Sequence, residues 1–483
     1  MGKFDVRKYI AANETLGHTI NYLINSFARK GLRLISIPVF TYLLTPADYG
    51  VINIFTANVE LAAILFTLNG TVGVGRYYFE EGKQDFNSLL FTSMVFSFSL
   101  LALFGIVLSW QSSFFAELVD LPSGTIKYIV PASVLIVMSN YMLAVFRAAG
   151  RSKEIRNFGI QKTYVEFFVS VLLILLLSTE LYYGRIWSFA LAAGIFGAIA
   201  FVKLKPYIEP KFQSKHLVYL FSYSLPLLPA YLGTLILSYF DRLMLNSMVS
   251  EESAGLYSFA YNIAGLQYMV SNAVMNAWVP KYYKQMKTGN YRELDEQGVR
   301  LFKIIGLATF ALVAFGQYIG IVLGSKSFHD GLSIIPVVII GQFFMTFSII
   351  YKNSISFSKK TILSTIAILT SAGLNVVLNY LFIPKYGMAA AAWTTLAAYM
   401  VQGILMMYLV RKFLKVHSLN PRFILPTVAY IVLASAIAGS FYFFDLSYLL
   451  DIVLKTLVLF GVSYLLFPGQ LFSILNQLKS RIK

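Results

Sequence analysis

The stretch LGHTINYLINSFARKGLRLISIPVFTYLL, residues 16–44, decides how the chain is read. It is long and apolar enough to cross a bilayer core, which needs about 20 such residues, yet Arg29, Lys30 and Arg33 stand near its middle. A charge at the bilayer centre costs roughly 2.5–3.5 kcal/mol on insertion scales, so cations kept there usually face a cavity or a pathway. Arg29 and Arg33 lie one helical turn apart and share a face. The span is therefore expected to meet something negatively charged inside the membrane.

The whole chain is as apolar as this stretch. Of 483 residues 58% are hydrophobic and only 13% charged, about half the charged fraction of a soluble globular protein, and the mean hydropathy is +0.69. These values describe an all-α polytopic membrane protein. The formal charge of +17 does not indicate a nucleic-acid partner, because the cations are dispersed through apolar sequence rather than gathered on one soluble surface. With no cysteine, and with His18, His216, His329 and His417 far apart, neither redox nor metal chemistry is indicated and no cofactor is expected. Lys3, Arg7 and Lys8 precede the first span as a signal peptide's basic region would, but the span is too long and too charged for one. It is expected to remain as a transmembrane helix.

Apolar windows recur over 16–44, 48–75, 86–111, 123–146, 157–179, 184–202, 217–248, 253–279, 301–324, 330–351, 361–383, 387–410, 423–444 and 447–477, which predicts fourteen transmembrane helices. The distribution of Lys and Arg tests that number, since cytoplasmic loops are enriched in them. Of the 39, twenty-nine fall at the termini and at or beside even-numbered breaks, three (Arg185, Lys326, Lys385) at or beside odd-numbered breaks, and the other seven deeper inside the windows. Both termini are therefore expected in the cytoplasm.

The chain also resembles itself. Gly50 at the start of the second window matches Gly255 at the start of the eighth, Ser152-Lys153 matches Ser358-Lys359, and Gly184 matches Gly387, at offsets of 205, 206 and 203. Repeated halves are a common architecture of transporters, with the transport site where they meet. The predicted organisation is two six-helix lobes, residues 1–204 and 205–415, with two C-terminal helices over 416–483.

Several segments carry a family resemblance. They are Tyr42-Leu-Leu-Thr-Pro-Ala-Asp-Tyr-Gly50, Asp241-Arg-Leu-Met-Leu-Asn246, Gly255-Leu-Tyr257, and Leu374-Asn-Val-Val-Leu-Asn-Tyr-Leu-Phe-Ile-Pro-Lys-Tyr-Gly-Met-Ala-Ala-Ala391. In these the chain resembles the polysaccharide-exporter branch, which includes O-antigen flippases, of the multidrug/oligosaccharidyl-lipid/polysaccharide exporter superfamily. The resemblance implies a flippase, not an enzyme, in the inner membrane of a bacterium. It would move an undecaprenyl-diphosphate-linked oligosaccharide to the outer leaflet by alternating access around a cationic cavity. Its partners would be that lipid, membrane lipids, and the polymerase and glycosyltransferases of surface-polysaccharide synthesis. Many drug exporters of the superfamily carry an Asp in the first span; here that span has no carboxylate after Glu14. The span 1–2 pattern typical of peptidoglycan-precursor flippases is also absent.

Candidate site residues follow from charge. Arg29, Lys30 and Arg33 suit a diphosphate, because Arg presents a rigid donor fork and Lys a mobile point charge; the bland reading is an ion pair with Glu60 or Glu166. Arg76 and Arg147 end the second and fourth spans, where they could ring the cavity mouth or serve as snorkelling anchors. Arg242 offers the second lobe a cation, or forms a structural network with Asp241. Glu60 and Glu166, the latter one turn from Lys162, are the candidates for ion coupling, with charge balance as the alternative role. Gln267, Asn272, Asn276, Trp278 and Gln342 could hydrogen-bond sugar but more simply join helices. No Gly-rich phosphate loop or soluble domain is present, so ATP is not expected as the direct energy source. The rival readings are a cation-coupled drug antiporter and a membrane scaffold for glycosyltransferases.

Overall fold

The computed structural model describes residues 14–80, 85–414, 416–440 and 447–467; the amino-terminal cations, the carboxyl tail and the end of the fourteenth window lie outside the described residues. The described chain is helical, without a strand. It begins with α1 (Glu14–Leu43), α2 (Pro46–Leu65), α3 (Gly70–Glu80), α4 (Phe86–Trp110), α5 (Ser112–Val119), α6 (Ser123–Ile126), α7 (Ile129–Ala148), α8 (Ser152–Leu176), α9 (Tyr182–Leu204) and α10 (Ser214–Ser224). It continues with α11 (Leu228–Met248), α12 (Glu251–Thr288), α13 (Tyr291–Leu323), α14 (Ile335–Phe357), α15 (Ile362–Phe413), α16 (Pro421–Ser440) and α17 (Tyr448–Leu466). Among the described residues nine helical segments are long and apolar enough to cross a membrane, and the bent pair α2 and α3 makes a tenth candidate. The protein is thus an all-helical, polytopic membrane protein.

Local chemistry places the breaks. Thr45 and Asp48 form a capping box that starts α2, Thr45 Oγ1 accepting from the Asp48 amide and the Asp48 carboxylate from the Thr45 amide, each at 3.1 Å, with Pro46 in the first turn. Leu68 and Asn69 adopt positive φ between α2 and α3, which meet at 49°. Pro226 falls in the short 3-10 turn Leu225–Leu227 that divides α10 from α11, and Pro336 sits in the first turn of α14. Gly387, at φ 56°, kinks α15 between two apolar stretches; a residue with a Cβ rarely adopts that conformation.

The chain divides into two compact units: Met1–Leu235 with Ser250–Gly255, and Ile236–Val249 with Leu256–Lys483. In the first, α1 lies along α8. Asn21 Nδ2 donates to Ser152 Oγ at 3.0 Å, Arg156 Nη1 to Asn21 Oδ1 at 2.6 Å, and Phe40 meets Phe167 edge-on at 5.7 Å. Gly159 permits the approach, since a Cβ there would stand 2.5 Å from Asn25 Oδ1. In the second unit α16 packs on α13, where a Cβ at Gly306 would lie 2.0 Å from Ile431 Cδ1. A buried Lys455–Asp451 pair, Nζ to Oδ2 2.7 Å, joins α17 to Tyr318 of α13, whose hydroxyl donates to the same carboxylate.

Candidate functional site: a cationic cavity in the first unit

Side chains of α1, α2, α7, α8 and α9 line two adjoining hollows, of about 370 and 460 Å³. Arg29, Arg33, Thr163, Glu166 and Arg185 line both. Leu32 and Phe40 of α1 are buried and line the smaller hollow beside Arg29 and Arg33, which are themselves exposed. Arg29 lies within electrostatic range of Arg33 and Glu166. Lys162 of α8 lies within that of Glu166 and Arg29.

Two carboxylates accompany the cations. Glu60, in the second half of α2, lines the larger hollow together with Lys162, Ser139 and Asn140. Glu166 Oε1 stands 3.3 Å from Arg185 Nη1. That same nitrogen donates to Ser170 Oγ at 2.7 Å, and the guanidinium lies 4.6 Å from the centre of the Phe40 ring. Ser170 in turn pairs with Ser188 of α9. Among the described residues the larger hollow thus carries four cations, Arg29, Arg33, Lys162 and Arg185, against two carboxylates. Like charges one turn apart oppose helix formation, so the arrangement is not one that folding stability favours by itself.

The sequence-predicted residues divide. Arg29, Arg33, Glu60 and Glu166 come together in this cavity. Lys30 is on α1, but its side chain lies outside the described residues. Arg76 instead stacks on Tyr223, 4.4 Å from the ring centre, and Arg147 sits exposed in the last turn of α7; neither lines the hollows. Arg185, placed by the sequence reading in a break between windows, belongs to α9 and to the cavity. Gly184 beside it serves close packing: a Cβ would lie 2.8 Å from the Ile174 backbone nitrogen.

Arg242 belongs to the second unit, where it is only 7% exposed and lies between the rings of Tyr261, at 4.6 Å, and Tyr239, at 5.6 Å. Its neighbour Asp241 is buried and accepts from Tyr257 Oη at 2.8 Å, Thr395 Oγ1 at 2.6 Å and Asn379 Nδ2 at 2.7 Å. Asn379 also donates to Asn375 Oδ1 at 3.2 Å and accepts from Thr394, so α11, α12 and both parts of α15 meet at one carboxylate. The sequence reading noticed the two asparagines but not this use of them; their one-turn spacing beside Thr394 and Thr395 was the available signal. Gln267, Gln342 and Trp278 are likewise buried between helices.

Comparison with known proteins bears on what this cavity serves. A family model described as polysaccharide biosynthesis protein matches residues 17–286, and the MatE family model matches residues 226–381. An uncharacterized membrane protein of Methanocaldococcus jannaschii is 23% identical over 332 residues, 63% of this chain and 64% of that protein. An uncharacterized membrane protein of Haemophilus influenzae is 20% identical over 279 residues, 57% and 66%. The matches thus span less than two thirds of the length of these curated relatives. Among solved structures, the lipid II flippase MurJ in an inward closed conformation superposes with a TM-score of 0.71 at 13% identity, over 94% of this chain and 99% of that one. An inward-facing multidrug resistance MATE transporter gives 0.59 at 14% identity, over 87% and 96%. These likenesses establish the fold, and the family model, which covers more than half of the chain, establishes the kinship: the protein belongs to the polysaccharide biosynthesis family of the multidrug/oligosaccharidyl-lipid/polysaccharide exporter superfamily.

Proposed function

We propose that this protein is a flippase for a polyprenyl-diphosphate-linked oligosaccharide, moving it from the cytoplasmic to the outer leaflet of a bacterial inner membrane by alternating access. The observation that carries the reading is the excess of cations in the cavity of the first unit. Guanidinium groups bind phosphate oxygens through paired, charge-assisted hydrogen bonds. Away from bulk water such contacts gain strength. Arg29, Arg33, Lys162 and Arg185 hold the diphosphate, with Lys30 contributing from the same helix; the glycan rides in hydrated space and the lipid tail stays in the bilayer. Arg76 and Arg147 attract the headgroup at the mouth, and Arg242 offers a cation in the second half. Glu60 and Glu166 belong to the charge balance of the site.

In this reading the chain crosses the membrane fourteen times, as two six-helix lobes over 1–204 and 205–415 followed by two helices, with both termini cytoplasmic. It works beside the polymerase and glycosyltransferases of O-antigen or related lipopolysaccharide synthesis. The similarity to multidrug exporters supports a second reading, cation-coupled drug export. The cavity charge weighs against it, because a cationic drug would be repelled.

The test is the double variant Arg29→Ala/Arg33→Ala in cells that depend on this protein for surface polysaccharide. Export is expected to stop, with the protein still in the membrane and mass spectrometry of lipid extracts revealing accumulated polyprenyl-diphosphate oligosaccharide. Normal export in the double variant overturns the proposal. Dye sensitivity of cells lacking the protein, with an unchanged lipid profile, favours the drug exporter.

A further inference from the structure

Glu166 occupies an unusual place in the cavity. It lines both hollows, and it is the carboxylate whose field reaches both Arg29 and Lys162. Its one ion-pair contact within 4 Å among the described residues is to Arg185, at 3.3 Å, a distance longer than that nitrogen's 2.7 Å bond to Ser170. A structural salt bridge inside a membrane protein would be expected to be short, bidentate and dry. This one is loose, and 26% of the Arg185 side chain and 19% of that of Glu166 remain accessible. Arg29 and Arg33 make no ion pair within 4 Å among the described residues. Among the described residues, then, Arg185 has a carboxylate within 4 Å while Arg29 and Arg33, which line the same hollows, do not.

Among the described residues, four cations against two carboxylates leave an excess of two positive charges on the lining, and a diphosphate diester carries one negative charge on each phosphate. Carboxylate and phosphate oxygens compete for the same donors. Starting from the proposed anion site, we infer that Glu166 is its resident counter-ion: in the empty cavity it neutralises the cations around it, and an incoming diphosphate replaces it on Arg185 and its neighbours. Glu166 then tunes affinity rather than carrying a coupling ion. It keeps the empty site from holding stray phosphate, and it returns to Arg185 as the headgroup departs.

The test is binding of farnesyl diphosphate, and separately of inorganic diphosphate, to the purified full-length protein in detergent, by isothermal titration. Glu166→Gln is expected to tighten farnesyl diphosphate binding about tenfold, the scale of removing one like charge several ångströms away in a partly wet cavity. Glu166→Asp, which keeps the charge, is expected to bind as the wild type does. Glu166→Gln binding no more tightly than wild type overturns the inference, and so does Glu166→Asp tightening as much as Glu166→Gln, which would assign the effect to lost packing. The underlying reading fails separately, if the wild type binds no diphosphate or Arg29→Ala/Arg33→Ala binds undiminished. Equal gains for both ligands mark a site for any diphosphate; a gain for farnesyl diphosphate alone marks a site for the prenyl-linked form, and either supports the counter-ion role.

Discussion

Substituting Gly255 by alanine tests a close helix contact in the first unit. The first turns of α2 and α12 meet backbone to backbone. A Cβ on Gly255 would stand 1.7 Å from the Pro46 carbonyl oxygen and 3.1 Å from the Gly50 nitrogen, and one on Gly50 would stand 2.2 Å from the Glu251 carbonyl oxygen. Contacts under 3.0 Å are not tolerated, so Gly255→Ala must separate the two backbones by about 1.3 Å at this point. No flexible side chain is present to give way. A gap of that size forfeits much of the dispersion contact across the seam, and it strains the bond from the Tyr182 amide to Asp48 Oδ1, already 3.3 Å. Overpacking of this kind costs up to about 3 kcal/mol. Alanine's better helix propensity returns about 1 kcal/mol, leaving a net loss of about 2 kcal/mol. The assay is thermal unfolding of the detergent-solubilised protein beside Gly265→Ala, a helical position where a Cβ meets nothing within 4 Å. Gly265→Ala should match or exceed the wild type. Equal stability of the two variants would refute the close-contact argument.

Three further outcomes are expected. Lys455→Met leaves Asp451 buried without its 2.7 Å partner and should cost about 3–5 kcal/mol, whereas Lys455→Met/Asp451→Leu removes both charges and should recover most of that; a single variant as heat-stable as the double one contradicts this. Asp241→Ala strands three donors at 2.6–2.8 Å, at about 1–3 kcal/mol each before relaxation. Asp241→Asn keeps an acceptor for Tyr257 and Thr395 and should fall between it and wild type in thermal stability; the reverse order would show that the network does not depend on the carboxylate. The Lys215 ammonium bonded to Asp85 holds that carboxyl below the usual carboxylate range. Because the folded-state value is depressed, the stabilisation is present above the ordinary Asp value of about 3.9 and is lost as pH falls through the lower folded value. Asp85→Asn should therefore melt below wild type at pH 6 in low salt and converge with it near pH 2 and in high salt; a pH-independent difference would assign the effect to something other than charge.

The sequence alone determined that the chain is helical and lives in a membrane, because a bilayer imposes length and apolarity on each segment separately and both are local properties. It also singled out Arg29 and Arg33, since a cation amid apolar residues stands out without any knowledge of its neighbours. Glycine marks the limit of local reading. Gly184 and Gly387 hold matching places in the sequence, yet Gly184 is a close packing contact on Ile174 while Gly387 adopts a non-helical conformation at the kink between two apolar stretches; whether a missing side chain serves a turn or a close approach depends on what lies opposite. Tertiary structure alone decided the partners. Glu166 and Arg185 meet across the α8–α9 hairpin, and the donors around Asp241 come from positions up to 154 residues away. Hydrogen bonds and ion pairs act over a few ångströms in space, and sequence spacing carries that information only when both groups lie on one helix.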